Sequence, residues 1–155
     1  MPAQVIIKTP DGSLAVQYPS PEPKYGSDGT KTVTARMTAS QSAGDLVVLA
    51  QDDRGWFVSS VPPGNNQVAQ YGVVLETAVA DEWVLVHIGG IYRNVKLPEN
   101  VDTSTSTGLQ RTASAVASAS TTLIDLDAWG IDVSETRGNN SVKDINFLGE
   151  PVWVL

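Results

Sequence analysis

The sequence predicts a mainly β protein, built as a small β-barrel or β-sandwich. Apolar and β-branched residues recur in short runs, and clusters of Gly, Pro, Asn and Asp separate these runs. Short strands at this spacing favour a barrel or a sandwich over alternating strands and helices. At 155 residues the chain corresponds to one domain or two very small ones, and it is long enough to bury a hydrophobic core without crosslinks.

Residues 1–30 differ in composition from the rest and are predicted to form an extended N-terminal arm. Five of the nine prolines lie in this segment: Pro2, Pro10, Pro19, Pro21 and Pro23. Each proline fixes φ and removes a backbone donor, which favours an extended chain. Two short apolar patches interrupt the segment, and a solvated tail would not need them. The arm is therefore expected to order on another subunit, with a frayed tail as the alternative.

Apolar residues in the arm and at the chain end are candidate contacts with another subunit or partner. These residues are Val5, Ile6, Ile7, Leu14, Val16, Tyr18 and Trp153. An extended arm of this kind can bind by adding a strand to an exposed sheet edge. The last residues, Pro151–Leu155, are so apolar that this end is expected to be docked.

Six strands are predicted between residues 31 and 97. They lie at Thr32–Met37, Leu46–Leu49, Trp56–Val58, Tyr71–Leu75, Trp83–Ile88 and Ile91–Leu97. Turn signals separate the first strands at Ser42–Asp45 and Asp52–Gly55. The pair Gly89-Gly90 is predicted to form a tight bend between the last two strands.

The C-terminal third has a weaker pattern. Residues 98–108 are polar and low in complexity, which predicts a linker or surface loop. The stretch Thr112–Ser120 is rich in Ala and Ser, and it fits either a short helix or a small-residue strand. Strand character returns at Leu123–Leu126, Trp129–Ile131 and Ile145–Leu148.

Two stretches of the sequence resemble each other. One begins Tyr71-Gly72 and the other Trp129-Gly130, and in each an apolar strand and then Glu-Thr follow. A polar loop and a second strand that reaches a glycine complete each stretch. The first glycine would let the backbone pass close to a neighbouring strand.

The repeated pattern predicts two units that face each other and close one core. The units would span about residues 43–97 and 108–155, within a β-rich domain of residues 31–155. A lone hairpin unit is marginal in water, so pairing two of them is physically sensible.

Composition and charge exclude several classes of function. The chain has no cysteine, so disulfides, thiolate metal sites and cysteine nucleophiles are excluded. Its formal net charge of −7 argues against nucleic acid and against anionic membrane surfaces as partners. Neither a signal peptide nor a membrane helix is predicted, and the chain is expected to be made in a cytoplasm.

No residue is predicted to be catalytic, to bind a cofactor or to ligate a metal. His87 is the only histidine, and it lies in a predicted strand without a second ligand or a nucleophile to pair with. Asp52-Asp53 lacks the spacing of a calcium loop. Asp125, Asp127 and Asp132 could form a paired-carboxylate site only in a cleft that nothing in the sequence predicts.

Several of these segments together resemble a known family. The run Ala43–Leu49, then Tyr71–Glu76 and then a strand that ends at Gly89–Ile91, resembles phage head decoration proteins, also called capsid cement proteins. The closing Phe147–Trp153 is similar to the C-terminal end of such phage virion proteins. The resemblance covers residues 40–97 and, more faintly, 121–155; the proline-rich N-terminus and the Ser/Ala/Thr stretch depart from it.

The resemblance implies a role, a location and a set of partners. Such proteins sit on the outer surface of the capsid, commonly as homotrimers, and fasten neighbouring major capsid protein subunits. The chain would then be a virion structural protein made in the host cytoplasm, with no enzymatic activity, no cofactor, and no nucleic acid or membrane partner. The alternative is a receptor- or carbohydrate-binding β-module of a phage tail or fibre.

Overall fold

The computed structural model of the chain is built from β-strands. It describes residues 5–9, 14–17, 22–59, 68–105, 107–110, 118–119, 128–149 and 152–153. The first seven strands are β1 (Val5–Lys8), β2 (Leu14–Gln17), β3 (Lys24–Tyr25), β4 (Lys31–Arg36), β5 (Leu46–Asp52), β6 (Gly55–Ser59) and β7 (Val68–Val74). The remaining six are β8 (Trp83–Asp102), β9 (Gly108–Gln110), β10 (Ser118–Ala119), β11 (Gly130–Asp132), β12 (Asn139–Leu148) and β13 (Val152–Trp153). Every regular element within the described ranges is a strand, so the predicted mainly β class is confirmed.

Five strands close into a barrel. The first half of β8 pairs with β4, β4 with β6, β6 with β5, β5 with β7, and β7 returns to β8. The β4–β6 pair is parallel and the other four are antiparallel. Apolar side chains on alternate positions of these strands and the adjoining loops fill the interior: Val33, Ala35, Met37, Val47, Leu49, Val58, Val74, Ala78, Val84, Val86 and Ile88.

The long strand β8 belongs to the barrel and also to a second group of paired strands, which we call the second sheet. The second half of β8 pairs with β12, and β11, β9 and β10 follow in that order. This sheet and the barrel share a second core, which contains Tyr71, Val73, Val95, Leu97, Val101, Leu109, Trp129, Ile145 and Phe147. Because β7 sends Val74 into the barrel and Val73 into the second core, one barrel wall is covered on both sides.

The glycine pair in β8 bends a strand instead of ending one. Gly89-Gly90 lies inside the continuous strand β8, so the predicted tight bend between two strands is wrong. Gly90 adopts a φ of 87°, which favours glycine. β4 pairs with β8 up to Gly89, and β12 pairs from Gly89 onward, so backbone hydrogen bonds hold the chain extended across the bend.

Strand β8 also runs further than the sequence predicts. Pairing of Asn139 with Asp102 and of Asn140 with Val101 keeps residues 98–102 in the strand. The predicted linker is therefore shorter, because β9 begins at Gly108. The predicted strand Leu123–Leu126 and most of the stretch 112–120 lie outside the described residues, and Ser118–Ala119 is strand β10.

Parts of the N-terminal segment pair with the chain's own barrel. β1 forms a hairpin with β2 and pairs in parallel with β8 at Trp83 and Val84. Lys8 and Glu82 form an ion pair 3.1 Å long beside this contact. β3 pairs with β4, and at the other end of the chain β13 pairs with β7. Docking of residues 152–153 agrees with the expectation for the apolar chain end.

The two similar stretches take equivalent positions in two strand pairs. The first lies in β7 and β8, where Val73 is opposite His87. The second lies in β11 and β12, where Gly130 is opposite Phe147. A Cβ atom on Gly72 would lie 2.7 Å from the carbonyl oxygen of His87, so this glycine permits the close approach that the sequence predicts. Duplication of one ancestral unit stays a prediction.

Candidate functional site

The residues predicted to contact partners are spread over three strands. Ile7 is buried against the chain's own barrel, whereas its neighbour Ile6 is exposed. Val5 lies in β1, and Trp153 lies in β13. Leu14 and Val16 lie in β2, on the outer side of the β1–β2 hairpin. Tyr18 lies outside the described residues. The arm's contact with another subunit stays a prediction.

Metal sites and membrane-spanning helices are both absent from the described ranges. No group of three or more His, Cys, Asp or Glu side chains in these ranges comes together in a way that could hold a metal ion. Nor do these ranges contain a helix long and apolar enough to cross a membrane.

His87 belongs to a buried aromatic cluster. Its ring meets those of Tyr92 and Phe147 edge-on, with centroids 5.4 and 5.7 Å away. Its Nε2–H donates a hydrogen bond of 2.9 Å to the carbonyl oxygen of Gly90, which holds the bend in β8. Burial lowers the pKa of His87 below its usual 6.5, although the bond to Gly90 and the charge of Asp28 oppose this effect. The side chain therefore stabilises the second core as a neutral imidazole.

Asp132 and Lys143 form a fully buried ion pair. Their charged atoms lie 3.7 Å apart, and both side chains are inaccessible to solvent. Lys143 also donates to the carbonyl oxygen of Gly138 at 2.7 Å and to Oδ1 of Asn140 at 2.8 Å. Burial raises the pKa of Asp132, but hydrogen bonds from Ser134 and Thr103 and the charge of Lys143 outweigh it, so the pKa lies below its usual value.

This buried pair has a structural role. Asp125 and Asp127, which are close to Asp132 in the sequence, lie outside the described residues. The Asp132 carboxylate is occupied by hydroxyl and ammonium donors, and its partner Lys143 fastens the loop between β11 and β12. The Asp132 carboxylate has no solvent access, so a sugar cannot reach it.

Exposed apolar side chains gather on one surface of the second sheet. Seven large apolar residues are exposed among the described residues, and five of them lie on or beside this surface: Tyr25 (75%), Ile91 (50%), Val142 (45%), Leu148 (44%) and Val133 (40%). We call this surface the outer face, meaning the solvent side of β11, β12 and the second half of β8, together with the adjoining Tyr25 and Lys31. Clustering of this kind is typical of a binding surface.

Strand register explains why these residues share one side. In β12, Phe147, Ile145 and Lys143 are buried, so the alternate residues from Val142 to Leu148 are on the solvent side. Ile91 is paired with Asn146 and therefore lies on the same side. Val133 directly follows β11, and its N–H donates a hydrogen bond to the carbonyl oxygen of Asp144.

Lys31 joins Tyr25 to the edge of this surface. Lys31 is paired with Tyr25 on one side and with Gly89 on the other. Its Nζ donates to the carbonyl oxygen of Gly149 at 2.8 Å and lies 5.7 Å from the centre of the Tyr25 ring. Leu148 is opposite Gly89, so a single row crosses four strands from Leu148 to Tyr25.

Charged groups on the outer face are mostly basic. Lys31, Arg93 and Lys96 lie there with two acids, Asp102 and Asp144, among the described residues of this face. Arg93 and Asp144 form an exposed ion pair of 3.2 Å. The whole chain carries a net charge of −7, so the outer face differs in sign from the protein as a whole.

The sequence pattern predicts that Ile91, Val142 and Leu148 lie in or beside strands, but it does not identify them as contacts. The available signal was at the alternate positions 142, 144, 146 and 148, which are Val, Asp, Asn and Leu and so are apolar at both ends of the series. Tyr25 was hidden in the proline-rich segment, and its place beside the second sheet depends on β3 and β4.

Comparison with solved structures gives a weak likeness to a phage protein. No protein-family model matches the chain, and no curated protein matches it. The chain is similar to the head fiber gp8.5 N base of bacteriophage phi29, with 17% sequence identity and a TM-score of 0.46. The match covers 74% of this chain and 92% of the other. A TM-score below 0.5 does not establish a shared fold.

Proposed function

We propose that this chain is a non-enzymatic structural protein of a bacteriophage virion, which binds the outer surface of the head and fastens neighbouring major capsid subunits. The observation that carries the proposal is the outer face, where Tyr25, Ile91 and Leu148 expose apolar surface on paired strands. An exposed apolar cluster is costly for a free protein and useful for one that is covered by a partner. The resemblance of residues 40–97 to head decoration proteins supplies the kind of partner.

Fastening needs contacts and no chemistry. A protein that binds two folded capsid subunits at once stabilises both by mass action, because the subunits must release it before they separate. The closed barrel suits this work, since a barrel has no open strand edges along its wall and holds the second sheet on a firm base.

Self-association and the N-terminal segment complete the proposal. A homotrimer would bring several outer faces to one point on the capsid and raise the overall affinity through multivalency. The exposed Ile6 and the hairpin edge at β2 would add contacts to a neighbouring subunit. The protein would be made in the host cytoplasm and would act on the finished shell, with no nucleic acid, membrane or cofactor as a partner.

Binding to capsids tests this proposal directly. Purified protein is mixed with empty expanded heads of the phage that encodes it, and bound protein is measured after sedimentation. We expect saturable binding with a fixed number of copies per head. We also expect the capsid shell to come apart at a higher temperature when the protein is bound. Light scattering on the free protein gives its oligomeric state, which we expect to be a trimer.

The opposite result is equally specific. A protein that leaves empty heads unbound at every concentration contradicts the proposal. Retention on a glycan array together with absence of head binding would favour a receptor- or carbohydrate-binding module of a tail or fibre.

A further inference from the structure

We infer that the outer face is the surface by which this protein docks on the head, and that it fits a patch of the capsid subunit on which apolar and acidic side chains alternate. The inference rests on the proposed function, and it adds which side of the molecule binds and what chemistry the partner must have. Five of the seven exposed large apolar residues among the described ranges support this choice of surface.

Size is the first argument for docking by this face. The rise per residue and the spacing between strands give the region between Val142, Leu148 and Tyr25 a footprint of about 20 Å by 14 Å. The largest apolar patch of a soluble monomer typically measures a few hundred Å² and is often functional. A typical stable interface buries about 800 Å² on each partner, so the rim of the face would complete it.

Firm support of the apolar residues is the second argument. Leu148 lies on β12, which is paired with β8 on one side and with β11 on the other, and Ile91 of β8 is paired with Asn146 of β12. Lys31 is held by Gly149 and by the Tyr25 ring, so the row from Leu148 to Tyr25 is fixed before a partner arrives. Side chains that are already ordered lose little entropy on binding.

Charge decides which partner fits. Lys31, Arg93 and Lys96 outnumber the two acids Asp102 and Asp144 on the described part of this face, in a chain whose net charge is −7. A second copy bound through the same face would bring two sets of these cations together, and like charges opposed across an interface cost free energy. Acidic side chains on a different protein would instead form ion pairs with these cations.

The experiment compares variants of the outer face with matched variants elsewhere, using the full chain and empty expanded heads as the probe. The apolar test variant is Ile91→Thr with Leu148→Thr, because threonine is β-branched and favours a strand at both positions. Its control is Val79→Thr, an exposed large apolar residue that lies outside this face and outside the N-terminal segment. The charge test variant is Lys96→Glu, and Arg54→Glu in the exposed β5–β6 loop makes the same change of charge elsewhere.

We expect the apolar test variant to bind heads at least about tenfold more weakly, as for loss of central interface residues, and its control to bind within about twofold of the wild type. We expect Lys96→Glu to bind severalfold more weakly and with a smaller dependence on salt than Arg54→Glu. Circular dichroism and thermal unfolding of each variant identify any loss of affinity that is due to misfolding.

The outcomes separate the inference from the proposed function. If the wild type binds heads and both outer-face variants bind equally well, the inference is overturned and the proposed function stands. If the wild type does not bind heads, both are overturned. Light scattering supplies a further outcome: if the outer-face variants turn an oligomer into a monomer, the face is occupied by a second copy, and the inferred partner is wrong.

Discussion

Tyr71 and Trp129 stack on each other, with ring centroids 5.1 Å apart and planes inclined by 22°. Tyr71 belongs to the barrel strand β7, and Trp129 directly precedes β11 of the second sheet. Each is the aromatic residue in front of the first glycine of one of the two similar stretches. The stack therefore joins the barrel to the second sheet at the point where the two stretches correspond.

Loss of this stack should destabilise the protein in a coupled way. We expect Tyr71→Leu and Trp129→Leu each to lower the free energy of unfolding, because both side chains fill the second core. The double variant should differ from the sum of the two by about 0.5–1.5 kcal/mol, the usual size of an aromatic pair. Urea unfolding of the four proteins measures this coupling. As a control, Trp129→Leu and Val58→Ala act on different cores and should be additive; additivity of the aromatic pair would contradict the prediction.

Gly72 should not tolerate a side chain. An added Cβ would lie 2.7 Å from the carbonyl oxygen of His87, a backbone atom of β8 that cannot easily move. We expect Gly72→Ala to cost about 1–3 kcal/mol, as for overpacking of a core. Gly138→Ala is the matched control, because nothing lies within 4 Å of a Cβ there. Thermal unfolding compares the two, and equal melting temperatures would refute the close approach.

Removal of one partner of the buried ion pair should be costly. Lys143→Met leaves the Asp132 carboxylate buried without its cation, which we expect to cost about 3–5 kcal/mol in chemical unfolding. Arg93→Met breaks the exposed pair with Asp144 and should cost about 1 kcal/mol or less. The double variant Lys143→Met with Asp132→Leu should recover part of the loss. Similar costs for Lys143→Met and Arg93→Met would show that the buried pair has no special role.

His87 should make stability fall in weakly acidic solution. Its pKa in the folded protein is lower than the usual 6.5 because burial disfavours the charged ring. As the pH falls below about 6.5, the unfolded chain takes up this proton first, so the stability present above that pH is lost towards the folded-state pKa. His87 is the only histidine, so NMR titration of the imidazole reads its pKa without assignment.

A variant isolates this contribution to the pH dependence. His87→Gln should lose the fall in unfolding free energy between pH 6.5 and the folded-state pKa, because glutamine does not titrate. A folded-state pKa at or above about 6.5 would contradict the buried, neutral imidazole.

Much of the fold could be predicted from local pattern. β4, β5 and β6 lie where alternation and β-branched residues place them, because a strand with one buried face must alternate. The loop from Asp52 to Gly55 carries its turn signal in its own residues, and the β5–β6 hairpin turns there. These elements depend on neighbours in sequence, which is the information that a pattern contains.

The candidate site was much harder to predict. Ile91 and Leu148 are in predicted strands, but their exposure depends on which side of the second sheet covers the barrel. Tyr25 reaches the same surface only because β3 pairs with β4 and β4 pairs with β8. Sequence reasoning instead chose apolar residues of the N-terminal segment, and Ile7 is buried within its own chain.

The sequence by itself determined the β class, most barrel strands, the acidic charge and the need for glycine at Gly72, because propensity, alternation and composition are local properties. Only the tertiary structure decided that β8 continues through Gly89-Gly90 and that Tyr71 stacks on Trp129. It also decided that most of the exposed large apolar residues of the described ranges lie on one face. Each of these outcomes depends on hydrogen bonds or packing between residues far apart in the chain, and such pairings are selected by the free energy of the whole fold.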